Sequence, residues 1–309
     1  METNHSGCAE AYRSAASGAA GITVKAPAKL NLFLDITGRR DNGYHLMNMV
    51  MQAVDLCDIV TLSLKDNGSA TLFCDGADVP MDKSNTALKA VKTFFEYTGL
   101  SNPGLHIRIE KNIPSQAGLG GASSDAAAVF IGLNALFGAK LTREELCALG
   151  ARVGADVPFC IFGGTAHAEG IGEILTALPP LSPECRFVVV KPDYGVSTVE
   201  AFAKFDSLAE KPAVSSVSDM LGVVSSGDLE LLGRLLCNVF EPVVFPEKTD
   251  AVKRALLSHG ALGALMSGSG SSVFGLFRDI PAATRAAVEL SDFGETFLVK
   301  PLPTGAYID

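Results

Sequence analysis

Pro114-Ser115-Gln116-Ala117-Gly118-Leu119-Gly120-Gly121-Ala122-Ser123-Ser124 runs straight into Asp125-Ala126-Ala127-Ala128, a glycine-rich loop followed by good helix formers as far as Phe137. Just upstream, Leu105-His106-Ile107-Arg108-Ile109-Glu110 alternates apolar and polar as a half-buried strand does. The order is strand, loop, helix N-terminus. The first turn of such a helix has N–H groups without partners and carries the positive end of the helix dipole, and Gly118, Gly120 and Gly121 place no Cβ in the way of an anion. Phosphate is the ligand that suits this geometry best; a tight connection without a ligand is the alternative. Hydroxyls from Ser123 and Ser124 at the helix start either cap the helix or face a phosphate or its metal ion. The loop is neither G-x-x-x-x-G-K-[ST] nor G-x-G-x-x-G, so any lysine acting on the phosphates comes from elsewhere in the chain.

Composition narrows the classes. The 309 residues predict two domains of about 150 residues each. A formal net charge of −9 argues against a nucleic-acid or anionic-membrane partner, since either needs a basic face. Seven scattered cysteines without a C-x-x-C pair fit reduced thiols in the cytoplasm. No apolar run approaches a membrane span, and residues 1–21, rich in Ala, Ser and Gly, read as a disordered extension.

Around the loop, the chain supplies the groups it lacks. Residues 22–37 read as a strand in which Lys29 and Asn31 share one face, with Leu30, Leu32 and Leu34 on the other. A solvated strand face is the plain alternative for that lysine. Asn42-Gly43 marks a turn that presents Tyr44 and His45. Residues 47–55, 58–64 and 70–74 read as further strands and 84–99 as a helix, while Thr142-Arg143-Glu144-Glu145 opens another helix with a capping box. Asp156, in Gly154-Ala155-Asp156-Val157-Pro158-Phe159, is equally a structural cap or a functional carboxylate in a dry pocket. Residues 162–168 read as a strand. Prolines 179, 180 and 183 mark a boundary that divides the chain into 22–178 and 179–309. Beyond it, 186–191 reads as a strand, 198–205, 228–240 and 247–258 as helices, 211–218 as a polar stretch, and 261–300 as β-β-α-β, an α+β sandwich. Ser267-Gly268-Ser269-Gly270-Ser271-Ser272 is a second glycine-serine loop that closes on a phosphate or simply turns the chain. Asp292-Phe293-Gly294 copies a protein-kinase motif but has no H-R-D before it.

Pro114-x-x-x-Gly118-Leu119-Gly120-x-x-Ser123-Ser124 followed by alanines resembles the phosphate motif of the GHMP kinases. With Pro27-Ala28-Lys29-Leu30-Asn31-Leu32, Gly43-Tyr44-His45, Gly154-Ala155-Asp156-Val157-Pro158 and Gly163-Gly164-Thr165-Ala166, the chain is similar to the branch that phosphorylates a cytidine-diphosphate-linked methylerythritol. The resemblance covers about residues 22–300. It implies an α+β, two-domain GHMP-kinase fold, with an N-terminal mixed α/β domain and a C-terminal ferredoxin-like α/β sandwich. It further implies ATP with Mg2+ on residues 114–124, no dedicated metal ligands, and Lys29 and Asp156 as the catalytic pair. The cytosine would stack on Tyr44, with His45 on its polar edge, Asn31 holding the substrate and Phe202 covering the other ring face. The stretch before Phe202 lacks two residues of the family pattern, and Gln116, Ala117 and Ala122 stand where relatives carry glycine. A small-molecule substrate is the partner implied, for a monomer or weak homodimer. A GHMP kinase for another small alcohol, of homoserine or mevalonate type, and an inactive GHMP-fold binding protein are the alternatives.

Overall fold

In the computed structural model the described residues are 21–65, 68–75 and 80–309. The expected extension 1–21 lies outside them except for Gly21. Two long antiparallel strands, β1 (Gly21–Arg39) and β2 (His45–Leu64), form the spine. The 47–55 and 58–64 segments are one strand, because the irregularity opposite Pro27 and Ala28 is absorbed as a bulge. A second register shift between Asn31 and Phe33 exchanges the faces. Leu30 and Leu32 therefore lie in one apolar core, while Leu34 joins Met49 and Met51 in another, against the simple alternation.

β3 (Ala70–Asp75) and β4 (Leu105–Glu110) extend this sheet in the order β12-β1-β2-β4-β3, β12 being Tyr307–Ile308. β5 (Thr165–Gly170) pairs with β2 and with β6 (Ile174–Ala177). The helices α1 (Thr86–Thr98), α2 (Gly121–Leu136), α3 (Arg143–Gly150) and α4 (Val157–Phe162) cover it. Ala126 through Phe130 are fully buried, so α2 is a central helix whose alanines let its neighbours approach closely. Thr142 makes the expected capping box of α3.

A second sheet, ordered β11-β7-β10-β9, is built from β7 (Arg186–Lys191), β9 (Gly263–Met266), β10 (Val273–Phe277) and β11 (Glu295–Val299). It packs with α5 (Thr198–Asp206), α6 (Val217–Ser226), α7 (Leu229–Leu235), α8 (Pro246–Ser258) and α9 (Ile280–Glu289). Two expectations fail, the second for a tertiary reason. Val157–Phe162 is a helix with Pro158 in its first turn, and the strand starts only at Thr165. The polar stretch 211–218 is irregular up to Ser216 and runs into the first residues of α6. The helix read over 228–240 stops at Leu235, and β8 (Cys237–Asn238) pairs in parallel with Phe33 and Leu34. Buried Asn238 donates to the carbonyls of Met266 and Gly268, and these bonds override the local helical pattern. We propose the division between the two halves at Leu178/Pro179; β8 and β12 return from the second half to β1 and stitch the halves together.

Candidate active site

Between the two halves lies a cavity of about 600 Å³. Its walls include the glycine loop from Pro114 to Ser123, Lys29 and Asn31 of β1, Asp156 before α4, Phe202 of α5 and the loop Gly268-Ser269-Gly270. Segments far apart in sequence thus meet where the strand–loop–helix pattern placed an anion.

α2 begins without a side-chain cap and without an acidic residue in its first turn, its N-cap being Gly120 in the left-handed region at φ 73°. An uncapped helix end facing a cavity is an anion site in waiting. Gly118 and Gly120 are required by contact as well as by φ. A Cβ on Gly118 would lie 2.0 Å from the Ser267 carbonyl oxygen, and one on Gly120 would lie 2.9 Å from Lys29 Cγ. The loop is clamped between β1 and the second glycine-serine loop. Ser267 completes the clamp: its hydroxyl donates to the Gly118 carbonyl at 3.0 Å and accepts the Asn31 N–H at 3.3 Å. Gln116 sits at φ 51°, a conformation that costs a residue with a Cβ roughly 1–2 kcal/mol.

Ser123 lines the cavity, whereas Ser124 is fully buried. The Ser124 hydroxyl donates to the Pro27 carbonyl at 2.5 Å and its N–H to Gly120 at 2.9 Å, so Ser124 pins α2 to β1 and has no group left for a phosphate. Leu119 is likewise inward, its carbonyl accepting the Lys29 N–H.

Lys29, with a side chain only 5% exposed, places Nζ 2.5 Å from Asn31 Oδ1 and 3.7 Å from Asp156 Oδ2. A buried lysine is expensive unless it is paired, which disposes of the solvated-face reading. Asp156 occupies the N-cap position of α4 but makes no capping bond, and its carboxylate, 35% exposed, is open to the cavity. That geometry favours a functional carboxylate over a structural cap. Asn31 also donates to Met49 Sδ, which fixes its amide with the oxygen toward Lys29.

Sequence reasoning missed a buried ion cluster beneath the loop. Lys111 lies between Asp58 and Asp125, 2.8 Å from the latter, with all three side chains less than a tenth exposed. Asp58 also accepts the N–H groups of Asn112 and Ile113, so it is the better-satisfied carboxylate. Asp125 keeps one oxygen without a partner, and burial pushes its carboxyl up to about 7, the Lys111 ammonium only partly offsetting this. A carboxyl pKa raised on folding stabilises the fold below its unfolded value near 4, and that contribution is lost as pH rises toward about 7. Asp125→Asn removes the surplus charge. Its melting temperature should gain on the wild type as pH rises from 5 to 8, by roughly 2–4 °C for each kcal/mol recovered. Parallel curves for the two proteins across that range would show that Asp125 does not titrate there.

At the other rim, the turn between β1 and β2 leaves Tyr44 59% exposed. His45 stacks on Phe202 with ring centroids 4.5 Å apart and planes at 21°, and its Nε2 is 2.8 Å from Asp206 Oδ1. Phe202 in turn meets Phe240 edge-on at 4.9 Å. Lys29, Asn31, Asp156, Phe202 and the loop line one cavity; Tyr44 and His45 are not among its lining residues, and His45 is linked to it by stacking on Phe202.

Comparison with known proteins shows the family and the fold. Residues 85–164 match the GHMP kinases N terminal domain, and residues 220–296 match GHMP kinases C terminal. A 4-diphosphocytidyl-2-C-methyl-D-erythritol kinase of Clostridium tetani is 42% identical over 286 residues, covering 91% of this chain and 100% of that protein. A crystal structure of a 4-(cytidine 5'-diphospho)-2C-methyl-D-erythritol kinase superposes with a TM-score of 0.73 at 34% identity, covering 91% of this chain and 99% of that one. A homoserine kinase from Cytophaga hutchinsonii gives 0.76 at 22% identity over 94% and 97% of the two chains, a likeness of fold alone. Fold does not separate these enzymes and sequence does: the chain belongs to the 4-diphosphocytidyl-2-C-methyl-D-erythritol kinase family of the GHMP kinases.

Proposed function

We propose that the protein transfers the γ-phosphoryl group of ATP to the 2-hydroxyl of 4-diphosphocytidyl-2-C-methyl-D-erythritol, giving the 2-phosphate and ADP in the supply of isoprenoid precursors. The observation that carries it is the convergence of Lys29, Asp156 and the uncapped N-terminus of α2 on one cavity, in a chain of this family.

The reaction needs placement and charge stabilisation more than covalent help. The triphosphate lies along residues 114–123, its oxygens on first-turn N–H groups of α2, with Gly268 to Gly270 closing from the opposite side. Asp156 accepts the proton of the attacking hydroxyl as the oxygen–phosphorus bond forms and the bond from the γ-phosphorus to the β–γ bridging oxygen of ATP breaks. Lys29 holds the carboxylate and offsets charge gathering on the transferred group. Asn31 fixes Lys29. A Mg2+ ion arriving with ATP would keep mostly phosphate and water ligands and need few protein oxygens, and the Ser123 hydroxyl on the cavity wall would be available as one. It would supply charge neutralisation on the phosphates.

The base is read at the rim. Tyr44, exposed on the turn, offers a stacking face and His45 a polar contact, while Asn31, beside Lys29, helps hold the substrate deeper in the cavity. Phe202 stacks on the His45 ring, so it supports the imidazole from one face, and this stacking gives no support to Phe202 as a cover for the base. Stacking on an aromatic ring is worth roughly 1–3 kcal/mol, so Tyr44→Ala should raise the KM for the cytidyl substrate about 5- to 150-fold and leave the ATP KM nearly unchanged. A change in the ATP KM instead would assign Tyr44 to the nucleotide donor.

No helix among the described residues is long and apolar enough to cross a membrane. The acidic net charge supports a small-molecule enzyme without a nucleic-acid or membrane partner, acting as a monomer or weak homodimer, and the unpaired thiols of the six described cysteines support a cytoplasmic setting. Titration calorimetry with cytidine 5'-diphosphate tests the substrate class: binding with the donor site filled by a non-hydrolysable ATP analogue is expected, and its absence would return the chain to a GHMP kinase for another alcohol.

A further inference from the structure

The hairpin tip that carries Tyr44 and His45 is tied to the second half of the chain by one carboxylate. Asp206, the last residue of α5, receives His45 Nε2 at 2.8 Å and lies 3.4 Å from Arg39 Nη1. Arg39 in turn donates Nε to the Gly43 carbonyl at 2.8 Å, directly before Tyr44. Phe202 projects from the same helix one turn earlier and stacks on the His45 ring. The ring is thus held on its edge by Asp206 and on its face by Phe202.

Proton chemistry makes this more than a strut. An ionised carboxylate only accepts, so Nε2 carries the hydrogen, and a neutral imidazole protonated at Nε2 has an acceptor at Nδ1. His45 Nδ1 has no partner among the described residues. The hydrogen bond from His45, with Arg39 and Lys211 nearby, holds the Asp206 carboxyl below the usual carboxylate range, which keeps it an acceptor. We propose that Asp206 is a positioning residue for base recognition: it fixes the Nε2–H tautomer of His45, so that Nδ1 is presented as an acceptor for the exocyclic amino group of cytosine. Uracil places a carbonyl oxygen there, lone pair against lone pair. The inference rests on Tyr44 and His45 being the base-contacting pair.

Asp206 has a side chain 37% exposed at a helix end, so its replacement should leave the fold intact, with melting curves read alongside. Binding of CDP and UDP is measured by calorimetry with the ATP site filled by a non-hydrolysable analogue, together with kcat and both KM values. Asp206→Ala should weaken CDP about tenfold and UDP little, raise the cytidyl KM, and leave kcat and the ATP KM near wild type. Asp206→Asn, whose amide oxygen still accepts from Nε2–H, should retain most of the CDP affinity. Wild-type CDP affinity in Asp206→Ala, equal losses for CDP and UDP, or an Asn variant no better than Ala would each overturn the proposal. Tyr44→Ala serves as the reference. If it too leaves CDP binding unchanged, the base-pocket reading itself fails; if it weakens CDP while Asp206→Ala does not, only the role of Asp206 fails.

Discussion

Asp156→Asn is expected to lower kcat by about 10²–10⁴-fold while the KM values for ATP and the cytidyl substrate stay close to wild type. The substitution keeps the shape of the side chain and removes its ability to take a proton. Asp156 makes no capping bond to α4, so the helix end is kept, but its loss leaves the buried Lys29 ammonium with Asn31 alone; some fall in melting temperature is expected, and kcat is measured at a temperature where the variant is fully folded. Steady-state kinetics with a coupled ADP readout checks it. A nearly wild-type kcat would make Asp156 a positional residue of the 154–158 turn and leave the proton acceptor to another group.

Lys29→Ala should cost about 10²–10³-fold in kcat, the usual consequence of deleting one well-placed electrostatic donor. Here stability also changes. Lys29 packs its stem against Gly120 and is nearly buried, so its removal leaves a void and strips Asn31 of its partner. A fall in melting temperature is expected together with the fall in kcat, and the two are separated by measuring kcat at a temperature where the variant is fully folded. In the double variant with Asp156→Asn the losses should be less than additive, because a 3.7 Å pair acts as one unit. Additive losses would mean that the lysine and the carboxylate serve different steps.

What could be read from the sequence was local. The glycine loop is a contiguous pattern of residues with a backbone consequence, and Lys29 and Asn31, two apart on a strand, had to share a face whatever else the fold did. Asp156 was legible as a choice between cap and functional group, and the missing capping bond favours the second. What was not legible depends on partners distant in the chain. The bulge that turns Leu34 away from Leu30 and Leu32 is set by strand pairing, and β8 exists because Asn238 finds the carbonyls of a loop about thirty residues later. Ser124 looked as available as Ser123 until α2 was placed on β1, where only one of two adjacent hydroxyls can face the cavity. The Lys111 cluster combines residues from three segments and has no motif. A lysine at the end of a strand with an aspartate in the following helix gave the only hint.

A kinase of this family must couple ATP in this cavity to one alcohol. Incubation of the purified protein with ATP, Mg2+ and 4-diphosphocytidyl-2-C-methyl-D-erythritol, followed by phosphorus NMR, tests it most directly. One new phosphomonoester resonance should grow in step with ADP, with both absent when the cytidyl substrate is omitted. ADP formation indifferent to that substrate, or no phosphomonoester in its presence, would contradict it.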